Sequence, residues 1–296
     1  MANVRDIRRR IKSVQSTAKI TKAMQMIASV KMGKAQEQAV AGRAYAEKLQ
    51  QVLASVKEGV SDDPPALLKE TKGKRELVLV ISTDRGLCGG LNGNLLRKIR
   101  KEVPADAHFV TVGAKLRSSL SKTGGTMIAD FQMADPVPFA DARPLARLLT
   151  DKFLEGEYAS VKVAFNVFRS TLSQEPWISQ LLPISEEHMG GKRDYHKGTK
   201  LSVAEDVASS GHDYLFEPSA HAVMESLLPL YLNFQIFHML LEARASEHSA
   251  RMVSMKAATD NAKKVVDELS LEANKLRQAA ITAELLEITT ATKAME

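Results

Sequence analysis

The sequence predicts a mixed α/β protein in which long helices at the two chain ends pair as an antiparallel coiled coil around a central parallel-sheet domain. Three observations carry this. Residues 1 to 63 contain no proline and residues 230 to 296 contain neither proline nor glycine, so helices at both ends have nothing to stop them. Between them, short β-branched runs alternate with helical periodicities, the pattern of a sheet with crossover helices. Near the C-terminus an apolar repeat of seven residues replaces the broader stripe of a globular helix.

The first rod opens with Val4, Ile7, Ile11 and Val14 at intervals of three and four, and Ile20, Met24 and Ile27 are expected to resume that stripe after a shift of phase. Gly33 and Gly42 weaken the rod without ending it, and the stop falls at Gly59 to Pro65. The period then changes. Glu76 to Ser82 is a continuous apolar run of the kind found in strands buried on both faces. Further strands are expected at His108 to Val112, Thr126 to Asp130, Val161 to Phe168 and Ile178 to Ile184, with helices at about Asn94 to Glu102, Lys115 to Lys122 and Pro144 to Glu155. This is a Rossmann-like alternation and predicts a small parallel sheet.

From Gly190 to Gly211 the chain reads as a polar loop, and a helix is expected after Pro218. Its far part carries Met255, Ala262, Leu269, Leu276 and Ala283 every seven residues, flanked by Val266, Ala273 and Ala280. So much alanine lets two helices approach closely. At about 1.5 Å per residue the stretch from 230 to 296 reaches on the order of 100 Å, too long for one domain to bury, so the other rod is its natural companion. The expected division is 1–60 for the first coiled-coil helix, 74–212 for the α/β domain and 213–296 for the second coiled-coil helix.

Composition narrows the function. The chain has 296 residues, 44% hydrophobic, with a net charge of +6. No stretch approaches 18 consecutive apolar residues and no apolar signal core opens the chain, so a cytoplasmic, non-spanning protein is expected. Cys88 is the only cysteine, which excludes an internal disulfide and a cysteine-based zinc site. The basicity is local: the first 34 residues hold nine Lys or Arg against one acid, Asp6. Such a stripe fits a solvated face, a nucleic-acid footprint or a surface for an acidic protein partner. Those 34 residues contain no Phe, Tyr or Trp to stack on bases, which counts against nucleic acid.

Ser82-Thr83-Asp84-Arg85-Gly86-Leu87-Cys88-Gly89-Gly90-Leu91-Asn92 is the most enzyme-like segment, because a glycine-rich turn after a buried strand is where α/β folds bind phosphate. It supports an alternative reading as a phosphate-binding enzyme with a coiled-coil extension. The spacing fits no known fingerprint, and glycines that allow a tight turn are the plainer explanation. The histidines show no metal spacing, no G-x-S-x-G elbow exists, and Cys88 reads as a small buried residue. No catalytic residue, metal or cofactor is expected.

The same segment resembles the central motif of the gamma subunit of F-type ATP synthases. Ile20-Thr21-Lys22-Ala23-Met24-Gln25-Met26 is similar to that family's first-helix motif, and Ile178 to Pro183 and Asp213 to Pro218 to two mid-chain motifs. Ala250-Arg251-Met252-Val253-Ser254-Met255-Lys256-Ala257-Ala258-Thr259-Asp260-Asn261 is the longest match, and Asn274 to Ala279 leads into Ile281-Thr282-Ala283-Glu284. The family's closing Gly-Ala is replaced by Ala291 and Thr292, and the chloroplast thiol insertion is missing, so the resemblance is to a bacterial-type subunit.

The resemblance implies a non-catalytic rotor shaft turning inside a ring of three alpha and three beta subunits, on the cytoplasmic face of the bacterial membrane. It implies that Arg277, Gln278, Thr282 and Glu284 meet a catch loop of beta, and that an acidic lever of beta faces Lys19, Lys22 and Met24. Tyr214, Phe216 and Glu217 would meet the membrane c-ring, with the epsilon subunit beside the α/β domain. Read without the family, Arg277, Gln278, Thr282 and Glu284 are a solvated helix face. No nucleic acid and no small-molecule substrate are expected.

Overall fold

The computed structural model describes residues 4–58, 64–122, 124–184 and 216–295. The expected stop at 59–63, the polar segment 190–211 and Tyr214 lie outside those residues.

The chain divides into two units: Met1–Ile27 with Met252–Glu296, and Ala28–Arg251. Two elements run through both, helix α1 (Val4–Ala41) and the final helix α6 (Ala220–Met295), which is 76 residues long.

The second unit is built on strands β1 (Arg75–Ile81), β2 (His108–Val112), β3 (Thr126–Phe131), β4 (Tyr158–Phe168) and β5 (Gln174–Leu182). They form one sheet in the order β3-β2-β1-β4-β5, with β1 at the centre. The first four are parallel, joined by helices α3 (Leu91–Glu102), α4 (Ala114–Lys122) and α5 (Ala142–Leu154). Strand β5 departs from the expected parallel order and runs antiparallel to β4. The five residues between β4 and β5 are too few for a crossover, which leaves only a hairpin. It also begins four residues earlier than the apolar run suggests, because Pro176 sits on an edge strand, where its missing N–H costs no ladder bond.

The run Leu77-Val78-Leu79-Val80-Ile81 is unbroken because both faces of β1 are covered. Val78 and Val80 pack with Leu95 and Ile99 of α3 and with Leu116 and Leu120 of α4. Leu77, Leu79 and Ile81 face a larger core that includes Leu149 and Phe153 of α5, Leu49 and Leu53 of helix α2 (Arg43–Glu58), and Leu228, Leu232 and Leu240 of α6. Gly42 separates α1 from α2 by one residue, yet the ladder continues through it: its N–H donates to Gln38 O at 3.3 Å and its carbonyl accepts from Ala46 at 3.0 Å. Helix α6 starts before Pro229, so the proline lies within it, as its tenth residue.

In the first unit the two chain ends pair antiparallel. Ile7 packs with Leu269 and Ala273, while Thr21 Oγ1 lies 2.7 Å from Thr259 Oγ1, so partners rise on one helix as they fall on the other. The Thr259 hydroxyl lies 2.8 Å from Met255 O and the Thr21 hydroxyl 3.1 Å from Ala18 O, so whichever threonine donates across the seam gives up the carbonyl on its own helix. On α6 the seam runs through the buried or half-buried Met255, Thr259, Ala262, Val266, Leu269, Ala273 and Leu276, alternating by four and three as a coiled coil requires, with Ala258 and Ser270 half-buried beside it.

One expectation for α1 is corrected. The stripe does not change phase: Ile7, Ile11 and Val14 continue through Ala18, Thr21 and Gln25 to the buried Ala28. Ile20 and Ile27 point outward, 60% and 57% exposed, and Met24 is half-buried. The seam takes small residues because the helices approach closely there, and the large apolar side chains are left outside.

Candidate functional site

The Ser82–Asn92 loop leaves β1 at the carboxyl edge of the sheet and closes on itself. Thr83 Oγ1 donates to Arg85 O at 2.8 Å and accepts from Asn92 Nδ2 at 2.7 Å, while Ser82 Oγ donates to Gly113 O at 2.9 Å. Gly113 has φ of +94°, and a Cβ there would overlap the Ser82 carbonyl, so this crossing of strand ends admits only glycine. Arg251 donates to the carbonyls of Arg85 and Gly86 at 3.3 and 3.4 Å. These side chains of the turn are thus engaged with the protein itself, and the carbonyls of Arg85 and Gly86 face a guanidinium. A phosphate cradle needs N–H groups aimed at one point. Cys88 is buried with Leu91 and Ala250, and burial raises its thiol pKa, opposed by the contact with Thr83, so it stays protonated and a poor nucleophile.

The residues assigned to partners fall in three places. Lys19 and Lys22 are exposed on α1, with Lys22 Nζ donating to Gln25 Oε1 at 3.2 Å, and Met24 is half-buried. Arg277, Gln278, Thr282 and Glu284 are all exposed on α6. Arg277 and Glu284 stand two turns apart on one face with Ile281 between them, and Gln278 and Thr282 lie on the neighbouring face, tied by Thr282 Oγ1 donating to Gln278 O at 3.0 Å. Thr21 pairs with Thr259, and Arg277 lies eighteen residues further along α6, so the two groups are separated by roughly 27 Å of helix and form two sites. Phe216 is half-buried against the larger core, and Glu217 beside it is exposed.

From Arg277 to Met295 every residue of α6 is exposed, and Ile281, Leu285, Leu286 and Ile288 each have half or more of their surface in solvent. An apolar helix end of this length, without a companion among the described residues, is the kind of surface that another molecule covers.

A second cluster was not foreseen. Arg244 and Glu247 of α6 pair at 2.6 Å, Arg251 reaches the other Glu247 oxygen at 2.8 Å, and Arg244 also meets Asp84 at 3.5 Å. His248 Nε2 lies 3.2 Å from Asp135 Oδ2, which is held at 2.8 Å by Lys31. Burial lowers the His248 pKa, more than Glu247 and Asp135 raise it. Burial pushes the Asp135 carboxyl up, yet Lys31 and the neighbouring cations win and hold it below its ordinary value. Sequence gives one signal for this cluster: Glu242 to Ser249 places polar residues on all sides of a helix whose neighbours are apolar, and no amphipathic pattern explains that.

Geometry therefore defines a class: a protein whose two chain ends pair as long antiparallel helices and whose middle forms a sheet domain, with the candidate functional groups on helix surfaces rather than in a cleft. The family model described as ATP synthase matches residues 3–295. The chain is 46% identical to the ATP synthase gamma chain of Akkermansia muciniphila over the full length of both, and 44% identical to that of Opitutus terrae over 98% of each. The fold matches the rotor of the Euglena gracilis mitochondrial ATP synthase at a TM-score of 0.65 and 17% identity, over 94% of this chain and 98% of that one. It also matches the central stalk and c-ring assembly of Tetrahymena thermophila at a TM-score of 0.58 and 24% identity, over 81% of this chain and 99% of that one. The chain belongs to the ATP synthase family, among its gamma chains. No described helix is long and apolar enough to cross a membrane.

Proposed function

We propose that this chain is the non-catalytic central shaft of an F-type ATP synthase, coupling ion flow through a membrane ring to ATP synthesis or hydrolysis at beta subunits. The observation that carries the reading is the exposed apolar end of α6, which would turn in a sleeve made by the alpha and beta subunits. An apolar surface suits rotation, because it has few hydrogen-bonded minima in which to stall. Each orientation of an asymmetric shaft acts as a ligand favouring one conformation of a beta subunit over the others, and only that difference can shift populations.

In this reading residues 1–60 and 213–296 supply the shaft and 74–212 the body. Arg277, Gln278, Thr282 and Glu284 contact a catch loop of beta, and Lys19, Lys22 and Met24 face its acidic lever. Phe216, Glu217 and Tyr214 belong to the contact with the c-ring, and epsilon binds beside the sheet domain. The protein would sit peripherally at the cytoplasmic face of the bacterial membrane.

Coexpression with alpha and beta subunits is the test. One copy should purify with three of each, and a chain that never enters the ring would refute the reading. Arg277→Glu should assemble normally but lose coupled ATP synthesis by about 10- to 100-fold, the scale of one lost charge-assisted contact of roughly 1.5 to 3 kcal/mol. Full coupled turnover in that variant would remove Arg277 from the contact.

A further inference from the structure

Between Leu241 and Ala250 helix α6 is buried on every side, yet six of those ten residues are polar: Glu242, Arg244, Ser246, Glu247, His248 and Ser249. Burying such groups is costly, and apolar residues of similar size would hold the helix in the core equally well. What polar pairs add is direction, since a hydrogen bond has a fixed geometry and an apolar contact does not.

The bonds fall on two opposite faces. Glu242 Oε2 accepts from the Phe168 N–H at 2.8 Å, Ser246 Oγ donates to Asn166 O at 2.9 Å, and Ser249 Oγ donates to Thr171 O at 2.7 Å. At about 100° per residue these three side chains leave the helix within about 60° of one another, toward the end of β4 and the turn after it. Arg244 and Arg251 leave within about 20° of each other on the opposite face. Arg244 Nη2 donates to Met133 O at 2.6 Å, and Arg251 Nη2 reaches the carbonyls of the β1 loop. Of the flanks between the two faces, one carries Ala243 and Ala250, too small to interlock with neighbours, and the other carries Ala245 with Leu241 and His248.

The geometry points to a torsional clamp: backbone groups of the sheet domain grip α6 from two opposed sides and fix its angle about its own axis. Bonds on one face alone would let the helix rock. Two opposed sets form a couple that resists twist in either direction. This inference rests on the rotor reading, and assigns to Glu242, Ser246 and Ser249 the positioning role of keeping the helix from slipping as the domain turns.

The experiment uses the chain assembled with alpha and beta subunits, with a probe on the sheet domain at a cysteine introduced by Ser118→Cys, an exposed position on α4. Angular fluctuations of the probe are recorded while the ring is stalled by nucleotide. Ser246→Ala/Ser249→Ala should assemble and hydrolyse ATP as the parent does, but show an angular variance about two-fold larger, since most of one opposed hydrogen-bonded set is gone. Glu242→Gln should stay narrow, because its amide oxygen still accepts from Phe168, whereas Glu242→Leu should widen. Ser249→Ala alone carries the measurement if the double variant does not fold. Unchanged variance in an assembled serine variant would overturn the clamp, whereas a parent chain that never joins the ring would overturn the rotor reading instead.

Discussion

His248 is the residue whose burial has the most direct consequence in solution. Its ring sits among Asp135, Glu247, Arg244 and Arg251, and its pKa is lowered from 6.5 in the folded chain. Below about pH 6.5 the unfolded chain takes up a proton that the folded chain refuses, so acid shifts the balance toward unfolding. Asp135 adds nothing to this window: its depressed pKa stabilises the fold above the ordinary value of 3.8 and is lost only below it. Denaturant midpoints of the isolated chain should therefore fall from pH 7.5 to pH 5, and His248→Gln should flatten that slope. A variant with the parent's full slope would move the titration to another group.

At the scale of the element, α1 shows how close packing selects residues. Adjacent positions have opposite environments: Ile27 is 57% exposed and Ala28 only 2%. Ala28→Leu should destabilise the isolated chain by about 1 to 3 kcal/mol through overpacking, whereas Ile27→Ala should change it by less than about 0.5 kcal/mol. Urea denaturation of the two variants checks the phase of the seam, and the reverse ranking would place Ile27 inside. The outward Ile20 and Ile27, with Lys19 and Lys22 exposed near them, make a surface that combines apolar contact with positive charge, as an acidic helical partner would require.

For the whole molecule, the exposed end of α6 separates what folds the chain from what the proposed shaft would act on. Residues 277 to 295 are exposed throughout and sit outside the buried clusters. Deleting them should leave the urea midpoint of the isolated chain unchanged, while entry into the alpha and beta ring should weaken. A marked drop in stability would mean that this segment packs on its own chain. In the proposed reading the energetic logic is that of a protein whose working surface is left unburied until a partner covers it.

Sequence by itself determined the helical ends, the strand and helix alternation and the seam from Met255 to Leu276, because these follow from period and from the residues that stop helices. The motifs also sufficed to place the chain in its family. The phase of α1 was not legible: Ile20 and Ile27 are the larger apolar side chains, yet only the distance between the two helices decides that alanine and threonine go inside. The direction of β5 was hidden by a short hairpin that composition does not mark. The cluster around Glu242, Arg244 and His248 shows in the sequence only as polar residues on every side of a helix, and its partners needed the tertiary structure, since Phe168, Met133 and Asp135 lie far away in sequence. Local periodicity fixes where helices and strands form, but only the assembled fold fixes which face turns inward and what it meets there.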